Sequence, residues 1–162
     1  MITKEQLVDE IVKEIDIMRH LGEKATEEQL AYRPSDSQRT LIELMRYVSY
    51  VFISTAEAVV NGNQDVYKAK AEEAETLTLA NFDERMKKQA QDIRTLVMPL
   101  TEEQANEEVM VFMKQSRALY LLSMLKWAAA YKLQMFLYLK ASGHSKLNTM
   151  NAWAGVDGDM NF

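Results

Sequence analysis

Apolar residues recur three and four positions apart in four long segments of the chain, which is the spacing of amphipathic helices. Capping boxes open the first two segments, at Thr3 and at Thr40. Pro99 ends the third segment, and the fourth has no internal proline or glycine. The predicted helices cover about residues 4–24, 40–62, 81–97 and 116–143. This pattern predicts an all-α four-helix bundle with a long connection between its second and third helices.

The fourth predicted helix is apolar over an unusually wide arc and carries two stripes, which is typical of a central member of a bundle. One stripe consists of Leu119, Leu122, Leu133 and Leu137. The stripe beside it consists of Tyr120, Trp127, Tyr131, Gln134 and Tyr138. Ile42 and Ile53 also lie outside the main apolar face of the second helix. Because broad apolar helix faces mark interfaces, we expect a homodimer that forms through helix faces.

The segments between the helices are less regular. Residues 63–80 are polar and charged, and they predict a mobile connection with one or two helical turns. Residues 106–115 are rich in β-formers but too short to assign, and we expect an extended segment across the end of the bundle. Residues 144–162 predict an irregular tail that Trp153 anchors. The whole chain, 1–162, is expected to form one domain.

Composition narrows the classes of function. A net charge of −5 argues against a nucleic-acid-binding protein, which needs a basic face. The chain has no cysteine, no apolar run long enough to span a membrane and no apolar signal segment near its N-terminus, so we expect a cytoplasmic protein with no membrane partner. His20 lies off the apolar face of the first helix, where we expect a solvated side chain.

Two short motifs resemble a known family. The run W-A-A-A-Y-K-L-Q at 127–134 is similar to the last-helix motif of the DinB/YfiT-like family, in which H-x-x-x-H is followed by glutamine. The run T-L-I-E-L-M-R-Y-V at 40–48 is similar to that family's second-helix motif, S-L-x-E-L-L-x-H-L. The order and spacing of the predicted helices extend the resemblance over most of the chain. Tyr47, Trp127 and Tyr131 stand at the positions of the family's three histidines.

The resemblance implies a four-helix bundle related to metal-dependent hydrolases and thiol S-transferases. An indole offers no lone pair to a metal, and a phenol binds one poorly while it is neutral. We therefore predict that the metal site is degenerate, with no catalytic residue, no metal ligand and no cofactor. The alternative is a hydrolase or S-transferase that holds its metal through other side chains, although the carboxylates of the second helix, Glu43 and Glu57, fall toward the polar side.

Two uses of the altered site remain open. Tyr47, Trp127, Tyr131 and Gln134 can line a pocket for a small apolar or planar ligand. The three rings can instead fill the former cavity as ordinary core. The specific function, a binding or scaffold bundle or an enzyme, does not follow from the sequence alone.

Overall fold

The computed structural model describes residues 2–158, and eight α-helices lie in this part of the chain. They are α1 (Lys4–Gly22), α2 (Leu41–Val48), α3 (Val51–Asn61), α4 (Val66–Ala74), α5 (Leu79–Val97), α6 (Glu102–Asn106), α7 (Arg117–Ala141) and α8 (Thr149–Trp153). Two strands, β1 (Glu108–Met110) and β2 (Lys114–Ser116), form an antiparallel hairpin between α6 and α7. The prediction of an all-α fold is confirmed.

The long helices form a ring around one apolar core. Helix α1 packs against α5 and α7, and α3 packs against the same two helices. Three of the four predicted helix starts are confirmed, because the side chains of Thr3, Thr40 and Ser116 each accept a hydrogen bond from the backbone three residues on. The start predicted at residue 81 is two residues late, since α5 begins at Leu79 after the N-cap Thr78. Gly143, just beyond α7, has a φ of 111°, which only glycine adopts without strain.

The second predicted helix is broken after two turns, although it contains no proline or glycine there. Ser49 and Tyr50 separate α2 from α3. The buried amide of Gln89, on α5, spans the break: it donates to the Val48 carbonyl at 2.9 Å and accepts from the Ile53 N–H at 3.1 Å. These bonds replace part of what an unbroken helix would make.

The segments between the helices are more ordered than the sequence indicates. Residues 63–80 contain α4, a helix that packs against α2 and α3. The extended segment expected within 106–115 is present and pairs with itself as the β1–β2 hairpin. Val111, in the hairpin turn, is buried against Ala58, Val59 and Tyr120. The hairpin is thereby attached to α3 and α7.

The C-terminal tail corrects two predictions. The tail is not wholly irregular, since it contains α8, and the predicted anchor Trp153 is 68% exposed. Leu147, Asn151 and Ala152 are buried in its place. His20 is expected in solvent, but its side chain is only 12% exposed. Its Nε2 atom lies 3.1 Å from the side-chain nitrogen of Asn151, so the tail covers it. The last part of the predicted tail, 159–162, lies outside the described residues.

The two stripes of α7 differ in exposure. The leucine stripe faces outward, and its members are 40–53% exposed. Within the aromatic stripe, Tyr120 and Tyr138 are buried, while Trp127 and Tyr131 are partly buried. The bundle therefore has an apolar outer face along its longest helix. Within residues 2–158, no helix combines the length and the apolar character needed to cross a membrane.

Candidate functional site

A cavity of about 320 Å³ lies where α2, α3, α4, α7 and the hairpin meet. Its wall is mostly aromatic and aliphatic, with a few hydroxyl and amide groups. The lining residues are Tyr47, Val51, Thr55, Tyr67, Phe112, Met113, Gln115, Tyr120, Ser123, Trp127 and Tyr131. The volume falls in the size range of small-molecule sites in proteins.

Three of the four predicted site residues meet at this cavity. The rings of Tyr47 and Tyr131 touch edge to face, with centroids 5.2 Å apart and planes 66° apart. Trp127 lies one helical turn before Tyr131 on α7 and lines the same cavity. The three rings stand at the cavity wall and leave its volume open.

Gln134, the fourth predicted site residue, is not among the lining residues of this cavity. Its amide donates to the hydroxyl of Tyr138 at 2.8 Å. It lines a second, shallower groove of about 490 Å³ beside Tyr32, Leu133 and Leu137. Gln134 lies almost one helical turn beyond Tyr131 on α7, and its side chain is therefore outside the cavity.

The site has no charge of its own. Among the described residues that line the cavity, none carries an ionisable acid or base other than the tyrosines. Burial raises the pKa of Tyr47, and the neighbouring hydroxyl of Tyr131 raises it further, so Tyr47 is neutral at physiological pH. The guanidinium carbon of Arg39 lies 4.3 Å from the centroid of the Tyr47 ring, in a cation–π contact at the edge of the site.

The polar groups of the cavity fall into two sets. Some are already bound to protein: the Tyr67 hydroxyl donates to Thr55 at 2.8 Å, and the Tyr120 hydroxyl is bound to the hairpin backbone. The Trp127 indole N–H, the Ser123 hydroxyl and the Gln115 side-chain amide also line the cavity, and they make no side-chain hydrogen bond within residues 2–158. These groups are free to orient a ligand.

The donor set does not fit a divalent metal. No cluster of three or more histidine, aspartate, glutamate or cysteine side chains occurs in the described part of the chain. The Glu43 carboxylate accepts from the backbone N–H of Thr40 at 2.7 Å and so caps α2. Glu57 forms an ion pair with Lys70 at 3.1 Å. Both carboxylates are therefore engaged in other contacts.

The sequence did not point to the outer wall of the cavity. Phe112 and Met113 come from the hairpin turn, a segment too short for periodicity to assign. Tyr67 comes from α4, within residues 63–80, which the sequence predicts to be a mobile connection. The available signals were the apolar run at 109–113 and the isolated aromatic side chain of Tyr67 in a polar segment.

Comparison with known proteins identifies the fold. No family model matches the chain. The chain is 22% identical over 151 residues to the uncharacterised protein YjoA of Bacillus subtilis strain 168, an alignment that covers 91% of this chain and 96% of YjoA. The crystal structure of YjoA, described as a DinB-like protein, matches with a TM-score of 0.74 at 23% identity and covers 88% of this chain and 96% of YjoA.

The structural match confirms the predicted resemblance: this chain has the fold of a DinB-like protein over most of its length. YjoA is itself uncharacterised, so the likeness brings no activity with it. At this level of identity it is the fold that the two proteins share. Function has to be argued from the cavity.

Proposed function

We propose that this chain is a metal-independent binding protein that holds a small, uncharged, largely planar molecule in the cavity beside Tyr47, Trp127 and Tyr131. The main support for this proposal is the open volume of about 320 Å³ next to three aromatic rings. Rings that served only as core filling would pack to the density of a protein interior and leave little space. An aromatic wall favours flat ligands, because rings pack by offset stacking or edge to face.

The absence of charge in the lining favours an uncharged ligand. Moving an ion from water into an apolar site without a partner of opposite charge is strongly unfavourable. Trp127 offers an N–H donor, and Ser123 offers a hydroxyl. A ligand with one carbonyl or similar acceptor can therefore be oriented by these groups while its planar body contacts Tyr47 and Tyr131.

A matched series of naphthalene derivatives tests the proposal. Naphthamide, naphthoate and naphthylmethylamine share one ring system and differ in charge. After dialysis against a chelator, calorimetric titration should show the neutral amide binding at least about tenfold more tightly than either ion, a difference of about 1.4 kcal/mol. Ser123→Phe, which fills the cavity, should abolish binding, whereas Ser145→Phe on an exposed loop should leave it unchanged. Equal affinity for all three, or binding that needs added Zn²⁺, would contradict the proposal.

We also propose that the chain forms a homodimer through the outer face of α7. Support comes from the leucine stripe, which leaves about half of four large apolar side chains in water on a helix that has no acidic residue. Exposed apolar patches of this kind mark interaction surfaces. A second copy is the favoured partner because an antiparallel pair of α7 helices brings Leu122 of each protomer near Leu137 of the other.

The geometry of that pairing follows from the positions along α7. A two-fold axis near Ala129 and the exposed Ala130 would place Leu119 and Leu122 of one protomer opposite the C-terminal half of the other α7. There the apolar groove beside Leu133 offers about 490 Å³. Small residues next to the axis let two helices approach closely, and the two-fold repeats each contact.

A further inference from the structure

The turn of the β1–β2 hairpin is held against the cavity by one buried tyrosine. The Tyr120 hydroxyl, from α7, accepts from the backbone N–H groups of Phe112 at 3.0 Å and Met113 at 3.1 Å. It donates to the Met113 carbonyl at 2.5 Å. Tyr120 is itself 1% exposed. The backbone of the turn is therefore fixed to the floor of the cavity.

The base of the hairpin is fixed as well. The guanidinium of Arg117 donates to the Val59 carbonyl at 3.2 Å, to the Gln104 carbonyl at 2.8 Å and to the Glu107 carboxylate at 2.7 Å. Val111 is buried between α3 and α7. With its base and its turn both anchored, the hairpin presents a backbone of fixed position to the cavity.

The side chains of Phe112 and Met113 stand between the cavity and solvent. Both line the cavity, yet they are 54% and 59% exposed. The Phe112 ring packs against the Tyr67 ring with centroids 5.5 Å apart, which braces it from the α4 side. Met113 has no such ring contact within the described residues, and methionine adapts its shape easily.

We propose that Phe112 and Met113 are the specificity-determining residues of the cavity: they form its outer wall and set the largest ligand that it admits. This inference rests on the proposed binding function and adds the element that selects among ligands. The braced phenylalanine supplies a fixed edge, and the methionine supplies a limited adjustment. Since Tyr120 holds the backbone, ligand size is decided by these two side chains rather than by movement of the whole hairpin.

A size series of uncharged aromatic amides tests the inference. Benzamide, naphthamide and anthracene carboxamide have one, two and three fused rings. We expect the wild-type chain to bind the first two and to exclude the third. Phe112→Ala and Met113→Ala should each admit the three-ring amide and weaken binding of the one-ring amide about tenfold, because the wall contacts are lost. Met110→Ala is the matched control, since Met110 lies on the same hairpin, is exposed and is not a lining residue.

The position of the wall can be tested separately with Tyr120→Phe. This change removes the hydroxyl that holds the turn, so the naphthamide should dissociate several-fold faster while the helical circular dichroism stays the same. An unchanged size limit in both wall variants would overturn the inference and leave the proposed function standing. Failure of the wild-type chain to bind any of the three amides would overturn both.

Discussion

The ring of Tyr47 on α2 meets the ring of Tyr131 on α7 edge to face, with centroids 5.2 Å apart. The sequence resemblance implies metal-binding histidines at these two positions, and this chain has tyrosine at both. Here the two helices are joined by an aromatic contact worth about 0.5–1.5 kcal/mol beyond the area it buries. An apolar cavity lies beside this contact.

Tyr47→Phe should make the protein more resistant to alkaline unfolding. Burial raises the pKa of Tyr47 in the folded chain, whereas the unfolded chain ionises its tyrosines near pH 10. Above about pH 10 the unfolded state therefore binds fewer protons, and the free energy of unfolding falls as pH rises. The loss of stability that ionisation of Tyr47 in the unfolded chain causes is absent below that pH and grows through the alkaline range.

Urea unfolding of the wild type and the variant from about pH 8 to about pH 11 measures the effect. The two stabilities should stay parallel up to about pH 9 and then diverge, with the variant falling less steeply. Identical slopes above pH 10 would show that the Tyr47 hydroxyl is not held in a protonated state by the fold.

Gln89→Leu should destabilise the protein by about 2–4 kcal/mol, because it leaves the Val48 carbonyl and the Ile53 N–H buried without their partner. Gln91→Ala, on the same helix but exposed, should cost less than about 0.5 kcal/mol. Urea denaturation gives both values. A cost below about 1 kcal/mol for Gln89→Leu would mean that the break between α2 and α3 does not depend on this amide.

The break between α2 and α3 could not be predicted from the sequence. The helix starts at Thr3, Thr40 and Ser116 were predicted because a cap depends on residues within one turn. The interruption at Ser49 and Tyr50 has no local breaker, and the groups it exposes are satisfied from α5, which lies far along the chain. An interaction between distant residues leaves no periodic signal in the segment that it alters.

The sequence predicted only part of the site, because local spacing again says nothing about contacts between distant residues. Positions four apart on one helix must share a face, so Trp127 and Tyr131 could be assigned to one site. The outer wall from the hairpin could not, because its place depends on tertiary contacts of Tyr120 and Arg117. On α7 the sequence showed two apolar stripes but could not say that the one containing Leu133 faces outward.

The buried ion pair between α1 and α7 gives another test. Lys132 and Glu14 lie 2.7 Å apart with side chains 11% and 15% exposed. Lys132→Met should cost about 3–5 kcal/mol, because it leaves a buried carboxylate unpaired. Adding Glu14→Leu should recover most of that loss. Lys87→Met, at an exposed position on α5, is the control. Additive losses in the double variant would contradict the account.

Leu122→Lys or Leu137→Lys should abolish the proposed dimer. Each places a charge on the outer face of α7, where the partner would bury it. Sedimentation equilibrium should show a wild-type chain that approaches twice the mass of the variants at micromolar concentrations. Met98→Lys, at an exposed apolar position after α5, should leave the assembly unchanged. A wild-type mass equal to that of the variants would rule out this interface.

The central claim is that the cavity binds an uncharged planar molecule without a metal, and the fluorescence of Trp127 tests it most directly. The chain has two tryptophans, and Trp153 is exposed and is not a lining residue of the cavity, so Trp153→Phe leaves Trp127 as the only indole reporter. Addition of naphthamide should change the Trp127 emission in a saturable way, with the same midpoint in the presence of a chelator and of Zn²⁺. Unchanged emission at saturating naphthamide, or a response that appears only with metal, would contradict the account.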